Sequence, residues 1–349
     1  MKQLFILLLL LGICFLSSCG NRVQSNFELE TINDQSVSNA EKAFLSVLFN
    51  EETFVYHSNT QYDSYYSMNG YLKDIPFNDK TMEFSQFAVV DLDGDSMPEI
   101  VLAVEEYMGF VILRNTTDGV HGNFIGYRSM LQLKEDGSSY GTASSSEHWI
   151  QKKYFVGYTV LDSNKLYVDG ASYYIDDLIA DKEDADELET AFKNVPEIEW
   201  HDYSEESIMQ HIKGNTLFFE VSQEKVEHMN GRQEYMDSLQ YLIDLTRNYT
   251  EGDLEKRNDY AKKYYDSCKD EMNKVYEMCI KKHDSSDLRK MQQVWETGFV
   301  NRLSEDLKKY DVCSIEELED RAIYFTYGDM MLRRTLLLIN IYYDCDFYD

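Results

Sequence analysis

Apolar positions change their period twice along the chain. In NAEKAFLSVLF, over residues 39 to 49, Ala43, Phe44, Val47 and Leu48 lie three and four apart, the spacing of one helix face. The texture then shortens. Three runs rich in β-branched and aromatic residues follow, Phe87 to Val90, Ile100 to Val104 and Gly109 to Leu113, divided by acidic or turn-forming residues, and each predicts a strand. NFIGYRSM, HWIQKKYFVGYTVL and KLYVDGASYYI continue as short strands, before helical stretches around Glu183 to Phe192 and Glu205 to Ile212. Beyond about Gln233 the helical period takes over. Met272, Val275, Tyr276 and Cys279 fall on one face, Leu288, Met291, Trp295, Phe299, Leu303 and Leu307 make a longer stripe, and Leu332, Thr335, Leu336 and Ile339 repeat it. The breaks at 283–286 and 313–314 carry serines suited to N-caps.

The pattern predicts an α+β chain: a mainly-β unit with flanking helices over 39–215, a linker over 216–235, and an all-α small helical bundle over 236–349. Charge divides at the same place. Residues 19–234 carry 15 basic against 39 acidic side chains, and residues 235–349 carry 17 against 24. A formal net charge of −30 over 349 residues excludes nucleic acid as a partner, because such binding needs clustered Lys and Arg to displace counterions.

The first twenty residues, MKQLFILLLL LGICFLSSCG, put Lys2 before an apolar run from Leu4 to Leu16 that is too short for a comfortable membrane span, so 1–18 reads as a secretory signal. Leu16-Ser17-Ser18-Cys19 resembles the bacterial lipobox. That resemblance implies acylation of Cys19 and a lipoprotein held by its lipid on the extracytoplasmic face of the cell membrane, with the polar stretch 19–38 as a tether. Cys268, Cys279, Cys313 and Cys345 all lie in the second half, where one or two disulfides or buried thiols are both open and no pairing is favoured.

Residues 91–99, DLDGDSMPE, place Asp91, Asp93, Asp95 and Glu99 around Gly94 between two strands. Hard oxygens from positions 1, 3 and 5, the carbonyl of Met97 and the acid at position 9 suit calcium. Ser96 and Leu102 depart from the EF-hand at its glycine and bidentate-acid positions. The stretch instead resembles one loop of the FG-GAP and VCBS-type repeats, which implies a calcium site, here a single structural one.

Catalytic patterns are weak. Gly137-Ser138-Ser139-Tyr140-Gly141 has the letters of a nucleophile elbow without its strand-to-helix setting, and the seven histidines show no metal-binding spacing, so no enzyme is expected. The tyrosine-rich stretch 62–71 could line a sugar groove, but an ordinary surface is the favoured reading. In the helical half, Asn273 and Tyr276, then Gln292 and Trp295, then Thr335 resemble in order and spacing the LprI-type lysozyme-inhibitor domain, over about eighty residues. Departures are Phe299, where that family carries an arginine, and Arg333-Arg334 placed before the threonine instead of after it. The resemblance implies a non-enzymatic envelope binding protein with lysozyme as a partner; a wall glycan bound by the tyrosine-rich half is the alternative.

Overall fold

A computed structural model describes residues 39–57, 64–74, 82–105, 108–157, 159–215, 217, 223–251, 254–317 and 321–343. Cys19, Tyr62 and Cys345 lie outside them. The chain is α+β, with its sheets in the first half and its long helices in the second.

Helix α1, over 39–48, buries Ala40, Phe44, Val47 and Leu48, the face its spacing predicts. It precedes β1 (Phe54–Tyr56), β2 (Ser64–Tyr66), the short α2 (Met68–Asp74), β3 (Phe84–Val90), β4 (Glu99–Val104), β5 (Gly109–Thr116) and β6 (Gly119–Gly126). These strands, closed by β13 (His201–Asp202), form a sheet in the order β13-β3-β4-β5-β6-β1-β2, antiparallel except where β1 pairs β6. A second antiparallel sheet follows: β7 (Gln132–Leu133), β8 (Ser139–Ser144), β9 (Glu147–Val156), β10 (Thr159–Asp169), β11 (Ser172–Ile175) and β12 (Leu178–Ala180), ordered β12-β11-β10-β9-β8-β7. Strands β9 and β10 run ten and eleven residues, longer than the predicted short strands.

The first sheet is buried on both faces. Phe87, Ile100, Leu102 and Leu113 face α1, α2 and α4 (Glu205–His211), while Val90, Val101 and Ile112 meet Phe155 of the second sheet. Helix α3 (Lys182–Asn194) covers part of the second sheet with Ala185 and Phe192, and Asp181 caps it by accepting from Asp184 N.

The helical half comprises α5 (Gln223–Ser238), α6 (Gln240–Glu251), α7 (Leu254–His283), α8 (Ser286–Lys309) and α9 (Arg321–Tyr342). Ser285 is the N-cap of α8, one residue before the serine expected to cap it, Ser286, which is the helix's first residue. Ser314 instead precedes a short 3-10 turn, Ile315–Glu317, and the last helix is described from Arg321. From Gln223 onward, the stretch read as a linker is helical, within α5. Tyr154 and Val156 of β9 share a core with Met236, Leu239, Tyr264, Trp295 and Tyr327, so helices pack directly on the second sheet. Cys268 and Cys279 are buried thiols, with Cys279 Sγ donating to Leu338 O at 3.1 Å, and Cys313 is exposed. Burial raises the Cys279 thiol to about 11, which keeps it protonated and unreactive. No helix among the described residues is long and apolar enough to cross a membrane.

Candidate functional site

The acid loop joins β3 to β4 where Val90 pairs with Glu99. Its first carboxylate organises the backbone: Asp91 Oδ1 accepts from Gly94 N at 2.8 Å and Asp95 N at 3.1 Å, and Oδ2 accepts from Ser96 N at 2.8 Å. Those bonds hold Ser96 at positive φ, a left-handed conformation that a serine adopts only under such constraint; Gly94, also at positive φ, meets the same need freely. Met97 N donates to Asp95 Oδ1 at 2.7 Å, and Leu92 N to Glu99 Oε2 at 2.9 Å.

The loop turns most of its carboxylates inward, while Asp91, Gly94, Ser96 and Met97 are half-buried. Asp93, Asp95 and Glu99 are buried, and burial is the main force pushing Asp91 up to about 6, Asp95 to about 7 and Glu99 well above the carboxylate range, with neighbouring Asp93 adding to each. Two arginines supply opposite charge. Arg232 of α5, 0% exposed, donates from Nη1 to Asp93 Oδ2 at 3.1 Å and Asp95 Oδ2 at 3.4 Å, from Nη2 to Asp93 O at 3.2 Å, and from Nε to Asn340 Oδ1 on α9 at 2.7 Å. Arg114 of β5 reaches Asp95 Oδ2 at 3.4 Å, lies 3.7 Å from Glu99 Oε1, stacks over Phe155 and donates to Gln233 of α5.

Four carboxylates against two guanidiniums leave an excess of two negative charges when all are ionised, which Lys152 offsets only at longer range. Carboxylate oxygens of Asp91, Asp93 and Glu99 lie within 4.8 Å of one another, close enough to share one cation at calcium–oxygen distances. Glu99 Oε1 has no hydrogen-bond partner among the described residues. That donor set fits a hard divalent ion. Of the five residues expected to hold one, the structure groups three, turns Asp95 towards the arginines, and leaves Met97 engaged through its N–H.

Gly137 presses on this loop. Its φ is 77°, and a Cβ there would lie 2.6 Å from Asp91 O and 2.7 Å from Leu92 O, so the glycine-serine stretch is a packing element. Ser138 Oγ donates to Asp136 Oδ1 at 2.5 Å, and a strand follows in place of a helix.

A second joint lies at the β11–β12 hairpin. Asp176 and Asp177 form its two-residue turn, both at positive φ, as a type I′ turn requires. Arg333 Nε donates to Asp177 Oδ2 at 2.5 Å and Arg302 to Asp177 O, so the tip is pinned to α9 and α8. Arg334 Nε donates to Gln292 Oε1 at 3.0 Å, and its guanidinium lies 5.6 Å above the Trp295 ring.

The remaining expected residues are mostly interior. Gln292, Trp295 and Thr335 are buried, with Thr335 Oγ1 donating to Met331 O within its helix; Tyr276 packs at the core edge and Asn273 is exposed. Among the tyrosines of 62–71 that are described, Tyr71 is buried and Tyr66 half-buried, forming an aromatic cluster with Tyr56, and Tyr65 is 73% exposed. Tertiary folding also stacks histidines far apart in sequence: His57 Nε2 lies 2.7 Å from His121 Nδ1 across the β1–β6 seam, and the His201 and His211 rings lie 3.6 Å apart. No local motif marks these pairs, nor Arg114 and Arg232.

Comparison with protein-family models, with curated proteins and with solved structures finds no match to this chain.

Proposed function

We propose that this protein is a non-enzymatic binding protein of the cell envelope, held by acylated Cys19 on the extracytoplasmic face of the membrane, with a structural calcium brace at Asp91, Asp93 and Glu99. One observation carries the reading. Asp93, Asp95 and Glu99 are buried beside α5, and Arg232 from the helical half stands among them, which supports reading these carboxylates as a joint between two layers. Calcium there would neutralise the remaining charge and hold the β3–β4 turn against Arg232 and Arg114.

Function then falls to the outer surface. Its charge is strongly negative, which draws basic proteins inward from solution and repels acidic ones. Lysozyme has the right sign and is the partner that the helical half's resemblance implies. Because Gln292, Trp295 and Thr335 are buried, they would serve such a partner only by shaping the bundle. Glycan binding by the tyrosine-rich stretch has less support, since Tyr71 is interior and Tyr66 half-buried. Titration of the mature protein into a lysozyme turbidity assay tests the partner, alongside pull-down on peptidoglycan. Loss of lysis at micromolar protein is expected, weakening as salt rises. Full lysis at that concentration, at low salt, removes lysozyme from the account, and retention on peptidoglycan would move the function to the wall.

A further inference from the structure

Two histidines meet at the edge of the first sheet. His201 of β13 pairs with Phe87 of β3, and its ring lies 5.4 Å from the Phe87 ring. The chain turns back at Ser204, which caps α4 by accepting from Ser207 N at 3.2 Å, and that helix ends on His211. The return sets the two imidazoles face to face, with centroids 3.6 Å apart and planes 14° from parallel. The strap closed by this stack covers the sheet edge. Tyr203 N donates to Ser85 O at 3.0 Å, the Tyr203 ring packs on Phe84, and Ile208 and Ile212 are buried in the core with Phe87. Without the strap, β3 would present a row of unpaired backbone groups at the end of the sheet.

Neutral imidazoles stack freely at this distance, whereas two imidazoliums would hold like charges in van der Waals contact. Little stands nearby to offset such a pair. From β3 the stack meets apolar Phe87, and from α4 it meets only His211 itself. On the approach to β13, Glu199 Oε1 lies 3.9 Å from His201 Nδ1, but Glu199 is 82% exposed, so solvent screens most of its attraction. No other ion pair reaches either ring among the described residues. Burial, and then the facing His211, hold His201 below the ordinary histidine range, with Glu199 opposing them. The folded state therefore binds this proton less tightly than the unfolded chain, and the strap loses stability as pH falls through about 6.5.

We propose that the His201–His211 stack is an acid-sensitive latch: at neutral pH it holds β13 and α4 on the edge of β3, and double protonation releases them and bares that edge. The latch is independent of the acid loop and of the protein partner proposed above. Hydrogen–deuterium exchange of the mature protein at pH 7.5 and 5.0, read by mass spectrometry and corrected for the intrinsic effect of pH on exchange, tests it. Peptides covering residues 200–212 should exchange at least tenfold faster at pH 5.0. Asp91 and Asp95, raised to about 6 and about 7, titrate in the same interval, so two variants isolate the pair. His211→Gln and His201→Gln each leave one ring that can charge. Both should exchange like wild type at pH 7.5 and respond less than threefold to acid. Exchange in wild type that does not change with pH overturns the latch, as does a tenfold response that survives in both variants. Fast exchange of both variants at pH 7.5 shows that ring packing, not charge, holds the strap, and overturns the proposal too.

Discussion

Replacing Arg232 by methionine keeps much of the apolar stem and removes the guanidinium that four acceptors share: Asp93 Oδ2 and O, Asp95 Oδ2 and Asn340 Oδ1. The first three belong to the acid loop and the fourth to α9, so the change cuts a tie between the sheet and helical layers. Arg232 and Asp93 are both 0% exposed, and Asp95 is 3% exposed. Solvent therefore cannot take over the lost interaction. Breaking a buried pair by deleting one partner costs about 3–5 kcal/mol because it strands the other charge. Urea unfolding in EDTA near neutral pH, followed by circular dichroism and tryptophan fluorescence, should show a loss in that range. Asp95→Asn in the same background removes one stranded carboxylate. The double variant should therefore recover at least about 1 kcal/mol over additivity, as directly coupled sites do. In saturating calcium the loss from Arg232→Met should shrink, the ion carrying part of the charge. A loss below about 1 kcal/mol in EDTA, with the two substitutions additive, would refute the picture of a joint held by this arginine.

Gly137→Ala forces a left-handed backbone on alanine and drives its Cβ into the carbonyls of Asp91 and Leu92. Overpacking of this kind costs about 1–3 kcal/mol. Thermal melting should show a loss of that size, and an unchanged melting temperature would mean that the acid loop yields to the added methyl. Asp176 is raised from 3.8 to about 6, chiefly by burial. The folded state then binds the proton more tightly than the unfolded state, so its contribution is full below about pH 4 and is lost as pH rises to about 6. At about 1.4 kcal/mol per unit the full effect is about 3 kcal/mol, reduced by what solvent reaches the carboxyl. Asp176→Asn should flatten stability over that interval, as urea unfolding at several pH values would show; an unchanged slope would place its titration elsewhere. Trp295→Ala should lower stability by about 3–5 kcal/mol, the range for a large buried aromatic, and an unchanged melting temperature would contradict its interior role.

What the sequence makes legible is local. β-branched runs mark the centres of β3, β4 and β5, and the Leu288-to-Leu307 stripe with Ser285 before it marks α8 nearly to its ends. Helix α5 escapes because QEKVEHMNGRQEYMDS is too polar to show an apolar stripe, and its Arg232 is stable only against partners 139 and 137 residues away. The acid loop is visible as a cluster of carboxylates, but its setting is not: spacing within nine residues cannot reveal that α5 covers it or that Arg114 comes from the next strand but one. The same holds for Arg333 and Arg334. In sequence they depart from a family pattern; in the fold one pins a type I′ turn and the other joins Gln292 to Trp295. Asp176-Asp177 carries a turn signal in hindsight, since aspartate tolerates the left-handed region, yet without glycine it reads as one more acidic pair.

Calcium titration of EDTA-treated mature protein, by calorimetry with parallel thermal melting, tests the brace at Asp91, Asp93 and Glu99 most directly. One calcium per chain and a higher melting temperature are expected, both abolished in Asp93→Ala. No heat of binding, with the same melting temperature in calcium and in EDTA, would contradict it and leave Arg114 and Arg232 as the loop's only counter-charge among the described residues in contact with it.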